Sequence, residues 1–196
     1  MRIAVSGTHC CGKSTLISEF LLAHSGFTHE PEPYAVLEEE YGEAFAAEPS
    51  PDDFYRQLEF NVDRLRRYLP AERVIYERSP VDFLAYILAL NDLGREQNAS
   101  RLVESSLGIV REGIRYLDLI VFLPITDVES IVLAESEDAE LRNEVDRRLV
   151  RILSDDDFNL FTVGHPVIIE AIGSTAQRLQ MLESAIGSHL AESKSG

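Results

Sequence analysis

The chain has 196 residues, 45% of them hydrophobic, which is enough for one well-buried core and points to a single domain over residues 1–196. Its 34 acidic against 18 basic side chains leave a formal charge of -16. Such a surface repels nucleic acid and sets aside helicases, DNA-repair ATPases and tRNA-modifying enzymes. No apolar run approaches the roughly 20 residues of a membrane span, and the N-terminus shows no signal-peptide pattern. The two cysteines, Cys10 and Cys11, are adjacent, which excludes a disulfide framework and suits a reducing cytoplasm.

In chain order, Ile3-Ala4-Val5 reads as a short buried strand. It leads into GTHCCGKS, where Gly7, Gly12, Lys13 and Ser14 fit G-x-x-x-x-G-K-[ST], the phosphate-cradling P-loop. The residue types have physical reasons. Gly7 and Gly12 permit torsions that a Cβ would forbid, so that successive N–H groups turn inward around phosphate oxygens. Lys13 brings a point charge to the β and γ phosphates, and Ser14 brings a hydroxyl ligand for Mg2+. Thr8, His9, Cys10, Cys11 and Thr15 complete the expected nucleotide-binding loop. A helix follows, with Leu16, Phe20 and Ala23 at helical spacing, and its N-terminus adds an anion-binding dipole. Strand, glycine loop and helix in this order imply a nucleoside triphosphate.

Phe27 to His29 reads as a second strand, stopped by Pro31 and Pro33. LEEEYGE at 37–43 reads as a solvated helix face. Ser50, Pro51, Asp52 and Asp53 signal a helix start, and Phe54, Leu58, Leu65 and Leu69 mark a buried stripe running to about Leu69. RVIYERSP is a third strand and PVDFLAYILALND a helix apolar on nearly every face. Residues 99–116 look helical, 117–125 form a continuous apolar run suited to a central parallel strand, and 127–153 are charged and mostly helical. PVIIEAIG is a last strand, preceded by a turn at His165-Pro166, and AQRLQMLESAIGSHL a last helix. The expected architecture is α/β, a P-loop NTPase fold with a parallel sheet of about five strands, helices on both faces and a short helical lid. Active sites of such sheets lie at the carboxyl ends of the strands.

Absences narrow the chemistry. None of the eleven glycines has aspartate three residues before it, and lysines stand only at 13 and 194, so the D-x-x-G and N-K-x-D motifs of a GTPase are missing. No serine-glycine transporter signature is present, and a ring-forming ATPase would be longer and carry a second helical domain. Small-molecule phosphoryl transfer remains.

YERSPVDFLAY resembles the Glu-Arg-Ser segment of the deoxynucleoside kinase and thymidylate kinase group. THEP is similar to the Glu-Pro ending that group's second strand, and FYRQLEFNVDRLRRYL is similar to its substrate-facing helix. The same pattern resembles ATP-binding P-loop kinases grouped near the ribosylnicotinamide kinases. The resemblance spans roughly residues 2–87 and implies an ATP- and Mg2+-dependent phosphotransferase acting on a nucleoside- or nucleotide-like acceptor, with neither nucleic acid nor a membrane as partner and with room for a homodimer. Under it, Glu30 is the carboxylate that takes the acceptor's proton, with Glu32 competing because EPEP offers two registers. Glu77 is a carboxylate for Mg2+ beside Ser14, meeting the ion directly or through one of its ligands, and Arg78 reaches the transferred phosphoryl or the substrate. Ser79 reads more simply as a helix N-cap. Gln57, Asn61 and Arg64, at i, i+4 and i+7, form one stripe facing the acceptor. Arg142 is the arginine of a lid over 127–153, but Glu135, Glu137, Asp138, Glu140 and Glu144 surround it in sequence, which questions its grip on phosphate. AIGSTAQR is an adenine-side loop. The competing class is a slow or non-catalytic ATP-binding module that switches a protein partner.

Overall fold

The structure, a computed structural model, describes residues 1–45, 48–68, 72–95, 99–126 and 138–192. Five parallel strands, β1 (Arg2–Ser6), β2 (Thr28–Glu30), β3 (Val74–Glu77), β4 (Leu119–Phe122) and β5 (Val167–Glu170), lie in the order β2-β3-β1-β4-β5. The helices between and after them are α1 (Lys13–Ala23), α2 (Pro33–Glu39), α3 (Pro51–Arg67), α4 (Pro80–Asp92), α5 (Ala99–Ile114), α6 (Ala139–Asp155) and α7 (Thr175–Glu192). This is the α/β P-loop fold with helices on both faces. Among the described residues no helix is long and apolar enough to cross a membrane.

Successive strand side chains point to opposite faces, and here they feed two cores. Ile3, Val5, Ile75, Leu119 and Val121 pack with Leu16, Ile17 and Phe20 of α1 and Leu182 of α7. Ala4, Val74, Tyr76, Ile120 and Phe122 pack under α3, α4, α5 and α6. Strands β1, β3 and β4 are buried on both faces, which is why they read as unbroken apolar runs. Helix α4, lodged among α3, α5 and α6, is buried from Pro80 through Leu90 and for that reason lacks a polar stripe.

Capping chemistry sets the helix starts nearest the site. Ser50 and Asp53 form a capping box at α3, with Pro51 in the first turn and Arg64, Arg66 and Arg67 in the last, all favourable to the helix dipole. Ser79 and Asp82 form a second box at α4. Helix α3 ends at Arg67, and Leu69 lies outside the described residues. The second strand runs one residue later than expected, Thr28–Glu30. Helix α2 starts earlier than the helix face expected at 37–43 and ends at Glu39: Pro33 occupies its first turn, where proline's missing N–H costs nothing, so the proline starts a helix as well as stopping a strand. Of the lid segment, residues 127–137 lie outside the described residues, and 139–155 form α6.

Candidate active site

The register Val5↔Glu77 puts the end of β3 beside the start of the glycine loop. Gly7 (φ 152°) and Gly12 (φ 90°) hold left-handed backbone there, and a Cβ on Gly7 would lie 2.5 Å from Cys11 Sγ. A Cβ on Gly12 would lie 2.9 Å from Nη1 of Arg178, the buried α7 arginine that donates to the Cys11 carbonyl at 2.9 Å. Lys13 is buried and donates to the Thr8 carbonyl at 2.8 Å, inside the loop it closes. Cys10 is exposed at φ 52°, Cys11 is buried so that its thiol pKa is pushed up, and neither forms a disulfide. Thr15 is exposed in the first turn of α1.

Ser14 Oγ donates to Glu77 at 2.8 Å. Two hard oxygen donors at the mouth of the loop fit Mg2+, which takes few protein ligands and keeps water and phosphate oxygens for the rest. No cluster of three or more His, Cys, Asp or Glu that could hold a metal occurs among the described residues.

Behind the loop lies a buried polar network that sequence reasoning missed. Asp82, fully buried, accepts from the Gly7 N–H at 2.9 Å and from the Ser79 N–H and Oγ, each at 2.9 Å. Ser6 Oγ donates to Ser79 Oγ at 2.7 Å. Ser79 is the N-cap expected of it and also a tie to β1. The N-cap serine was legible in the chain, but the bond of Asp82 to a glycine 75 positions away was not.

Arg78 is the hub. It is 2% exposed and left-handed at φ 78°, a conformation costly for a residue with a Cβ and held only because its partners over-determine it. Its Nε donates to Glu32, Nη1 to the Gly7 carbonyl at 3.0 Å, and Nη2 to His9 Nδ1 at 3.3 Å. Nη1 lies 3.5 Å from Asp82, and the guanidinium stacks 5.1 Å from the Tyr86 ring centre. Burial raises the Glu32 pKa, but Arg78, with Lys13 and His9 behind it, overrides that and brings it down to about 2.

Glu32 and Arg78 line a cavity of about 380 Å³. Its walls are Tyr34 of α2 with Phe45 beyond it, Asp53, Phe54 and Gln57 of α3, Tyr86 of α4, His9 of the loop, and Asp138, Leu141 and Arg142 at the head of α6. Phe54 and Tyr86 stack at 4.4 Å, and Tyr34 and Phe45 approach at 5.0 Å. Gln57 is 4% exposed. A buried amide against aromatic rings suits a flat, hydrogen-bonding ligand.

The structure separates the expected acceptor stripe. Gln57 lines the cavity, whereas Asn61 and Arg64 do not. Asn61 Nδ2 donates to the Arg78 carbonyl at 3.3 Å, and its Oδ1 is buried with no described partner. Arg64 lies a turn deeper, donating to the Pro31 carbonyl at 2.6 Å and pairing with Glu30 at 3.0 Å. Glu30 is outside the cavity, its other oxygen held by Tyr68. Helical spacing puts three residues on one face but not at one depth, and β2 ends at Glu30, so the chain turns before Glu32 reaches the cavity.

The head of α6 departs from expectation as well. Asp138 and Glu140 turn to Arg95, and Glu144 pairs with Arg147 at 2.5 Å. Glu135 and Glu137 lie outside the described residues. Arg142 instead donates from Nε to the His9 carbonyl at 3.0 Å, while its own carbonyl accepts from Thr8 Oγ1 at 3.3 Å.

Residues 2–178 match the model of a family described as an AAA domain. The chain belongs to that AAA domain family. Comparison with curated protein sequences gives no match. Solved structures superpose on this AAA domain chain over nearly all its length. Deoxyadenosine kinase from M. mycoides with bound dATP has a TM-score of 0.68 at 14% identity, covering 95% of this chain and 100% of that one. Thymidylate kinase from Candida albicans has a TM-score of 0.65 at 17% identity, covering 95% and 91%. NadR in complex with NAD and AMP-PNP has a TM-score of 0.60 at 18% identity, covering 96% of this chain and 49% of that one, so this chain corresponds to about half of NadR. The fold is that of P-loop nucleoside and nucleotide kinases.

Proposed function

We propose that this protein is an ATP- and Mg2+-dependent kinase of a small nucleoside- or nucleotide-like acceptor, working as one P-loop domain in a reducing, cytoplasmic setting. The observation that carries the reading is the sharing of Arg78 between the glycine loop and the aromatic cavity: one buried guanidinium touches Gly7, His9 and Glu32. Phosphoryl transfer is mostly positioning and charge neutralisation, and a loop for the triphosphate and a pocket for the acceptor on either side of one cation would supply both.

In this reading the loop amides and Lys13 hold the triphosphate, and Ser14 with Glu77 would hold Mg2+. When bound, that ion neutralises charge on the phosphates. Glu32 replaces Glu30 as the carboxylate that takes the acceptor's proton, because Glu32 lines the cavity and Glu30 is tied to Arg64 and Tyr68. Gln57 reads the acceptor's polar edge between the aromatic walls. Arg142, fastened to the loop, brings a second cation to the phosphates. Asn61 and Arg64 support the site from below: Asn61 holds the Arg78 backbone and Arg64 holds the turn after β2.

A second reading, an ATP-binding switch for a protein partner, is favoured by one observation. The Arg142–His9 and Thr8–Arg142 bonds couple the head of α6 directly to the nucleotide loop. The two readings part in an assay of ADP release with nucleosides, nucleoside monophosphates and nicotinamide riboside added singly. A kinase releases ADP in proportion to one acceptor, and a switch shows the same slow rate with all of them.

A further inference from the structure

His9 belongs to the glycine loop by sequence, yet its side chain lines the acceptor cavity. Arginine has no acceptor atom, so the contact from Arg78 Nη2 at 3.3 Å fixes His9 Nδ1 as the acceptor and leaves the proton on Nε2. The ring is steadied edge-on against Tyr86 at 5.4 Å, and its carbonyl is held by Arg142. Glu32 takes Nε of the same guanidinium. Nε and Nη2 form one edge of that plane, so carboxylate and imidazole stand side by side, one an acceptor and the other a donor.

We propose that His9 and Glu32 form a clamp for a hydroxyl group, and that the acceptor is therefore an alcohol of the nucleoside class rather than a phosphate monoester. A hydroxyl meets both halves: its O–H donates to Glu32 while its oxygen accepts from His9 Nε2–H. A monoester phosphate is mostly the dianion at neutral pH, so it has little proton to offer Glu32 and faces its negative charge. In the transfer, the acceptor O–H bond breaks and its proton passes to Glu32. The oxygen forms a bond to the γ-phosphorus, and the bond from that phosphorus to the β–γ bridging oxygen breaks to release ADP. The charges facing His9 favour the neutral imidazole. Desolvation by the cavity walls comes first, although the residue as a whole is exposed. Arg78, Lys13 and Arg142 outweigh Glu32, and the pKa falls to about 3. The inference deepens the kinase reading and rests on it.

Three measurements on the full chain test it together. Nitrogen-15 NMR of the imidazoles should show His9 as a neutral Nε2–H tautomer from pH 5 to 8. With ATP and Mg2+, the wild type should phosphorylate nucleosides in preference to their monophosphates. His9→Ala should lower the acceptor kcat/KM about 2- to 10-fold, the range for one lost neutral hydrogen bond, while AMP-PNP affinity stays within about 2-fold. His9→Gln, which keeps an N–H near the Nε2 position, should recover most of the loss. An Nδ1–H tautomer, titration near pH 6.5, a preference for monophosphates, or an equal loss of AMP-PNP affinity overturns the clamp. Transfer to nucleosides that His9→Ala leaves unchanged, or that His9→Gln fails to rescue, overturns the clamp alone. Transfer to neither acceptor class overturns the kinase reading and the clamp with it.

Discussion

Two arginine–carboxylate pairs stand at neighbouring strand ends: Arg64 of α3 with Glu30, the last residue of β2, and Arg78, just past β3, with Glu32 of the turn after β2. Both arginines are almost fully buried, 3% and 2% exposed, and each meets a backbone carbonyl as well as its carboxylate. Their third partners differ. Glu30 is closed off by Tyr68, whereas Glu32 shares Arg78 with His9 and opens on the cavity. The same ion-pair chemistry is therefore closed off in one place and open to a cavity in the other, which in the proposed reading makes the first a brace and the second a poised site. Burial alone does not distinguish them; access for a ligand does.

The largest effect should come from exchanging the two carboxylates for amides. Glu32→Gln removes the proposed proton acceptor and should lower kcat by about 10²- to 10⁴-fold, measured as ADP release at saturating acceptor, with AMP-PNP affinity retained. Glu30→Gln should keep kcat near wild type in the folded fraction. If Glu30→Gln is the inactive variant, the two pairs have been assigned the wrong way round.

Arg64→Ala tests the brace. It leaves Glu30 without its cation and opens the turn at Pro31, and should cost about 3 kcal/mol in urea unfolding, the low end for breaking a buried pair. An unchanged unfolding midpoint would show that Arg64 is not structural.

Much of this site can be read in the chain and much cannot, for physical reasons. The glycine loop is contiguous and carries its chemistry in its residue types. Strands β1, β3 and β4 are apolar because both their faces are covered, and α3 announces itself with a capping box. The choice between Glu30 and Glu32 is hidden because it depends on where β2 stops and the chain turns, and Pro31 and Pro33 read equally as a strand end or a helix start. Arg64 shares a helical face with Gln57, but depth along that face depends on what packs below it. Asp82 and Arg178 reach the loop across 75 and 167 positions, distances over which local pattern carries no information.

Smaller effects sharpen the contrast from the nucleotide side. Lys13→Ala removes the loop's only ammonium and should weaken AMP-PNP binding by about an order of magnitude or more in calorimetry, leaving acceptor selectivity unchanged. Gln57→Ala should do the converse, lowering acceptor kcat/KM by roughly 5- to 100-fold with AMP-PNP affinity intact. Equal effects of either variant on both ligands would contradict two separate subsites.

The mildest test is pH. Because the folded pKa of Glu32 lies below its ordinary 4.5, its pairing stabilises the protein above about pH 4.5 and that stability is lost as pH falls toward 2. Glu32→Gln should flatten this part of an acid-unfolding curve. A wild-type stability that rises on acidification through the same window would contradict the sign.

The central claim is that a phosphoryl group crosses from triphosphate to an acceptor held in the cavity beside Arg78. Phosphorus-31 NMR of the protein with ATP, Mg2+ and one nucleoside at a time reads that crossing directly. The account predicts that loss of the γ-phosphate resonance is matched by growth of a phosphomonoester resonance with at least one nucleoside. Loss matched only by inorganic phosphate, or no loss across the nucleosides, would contradict it.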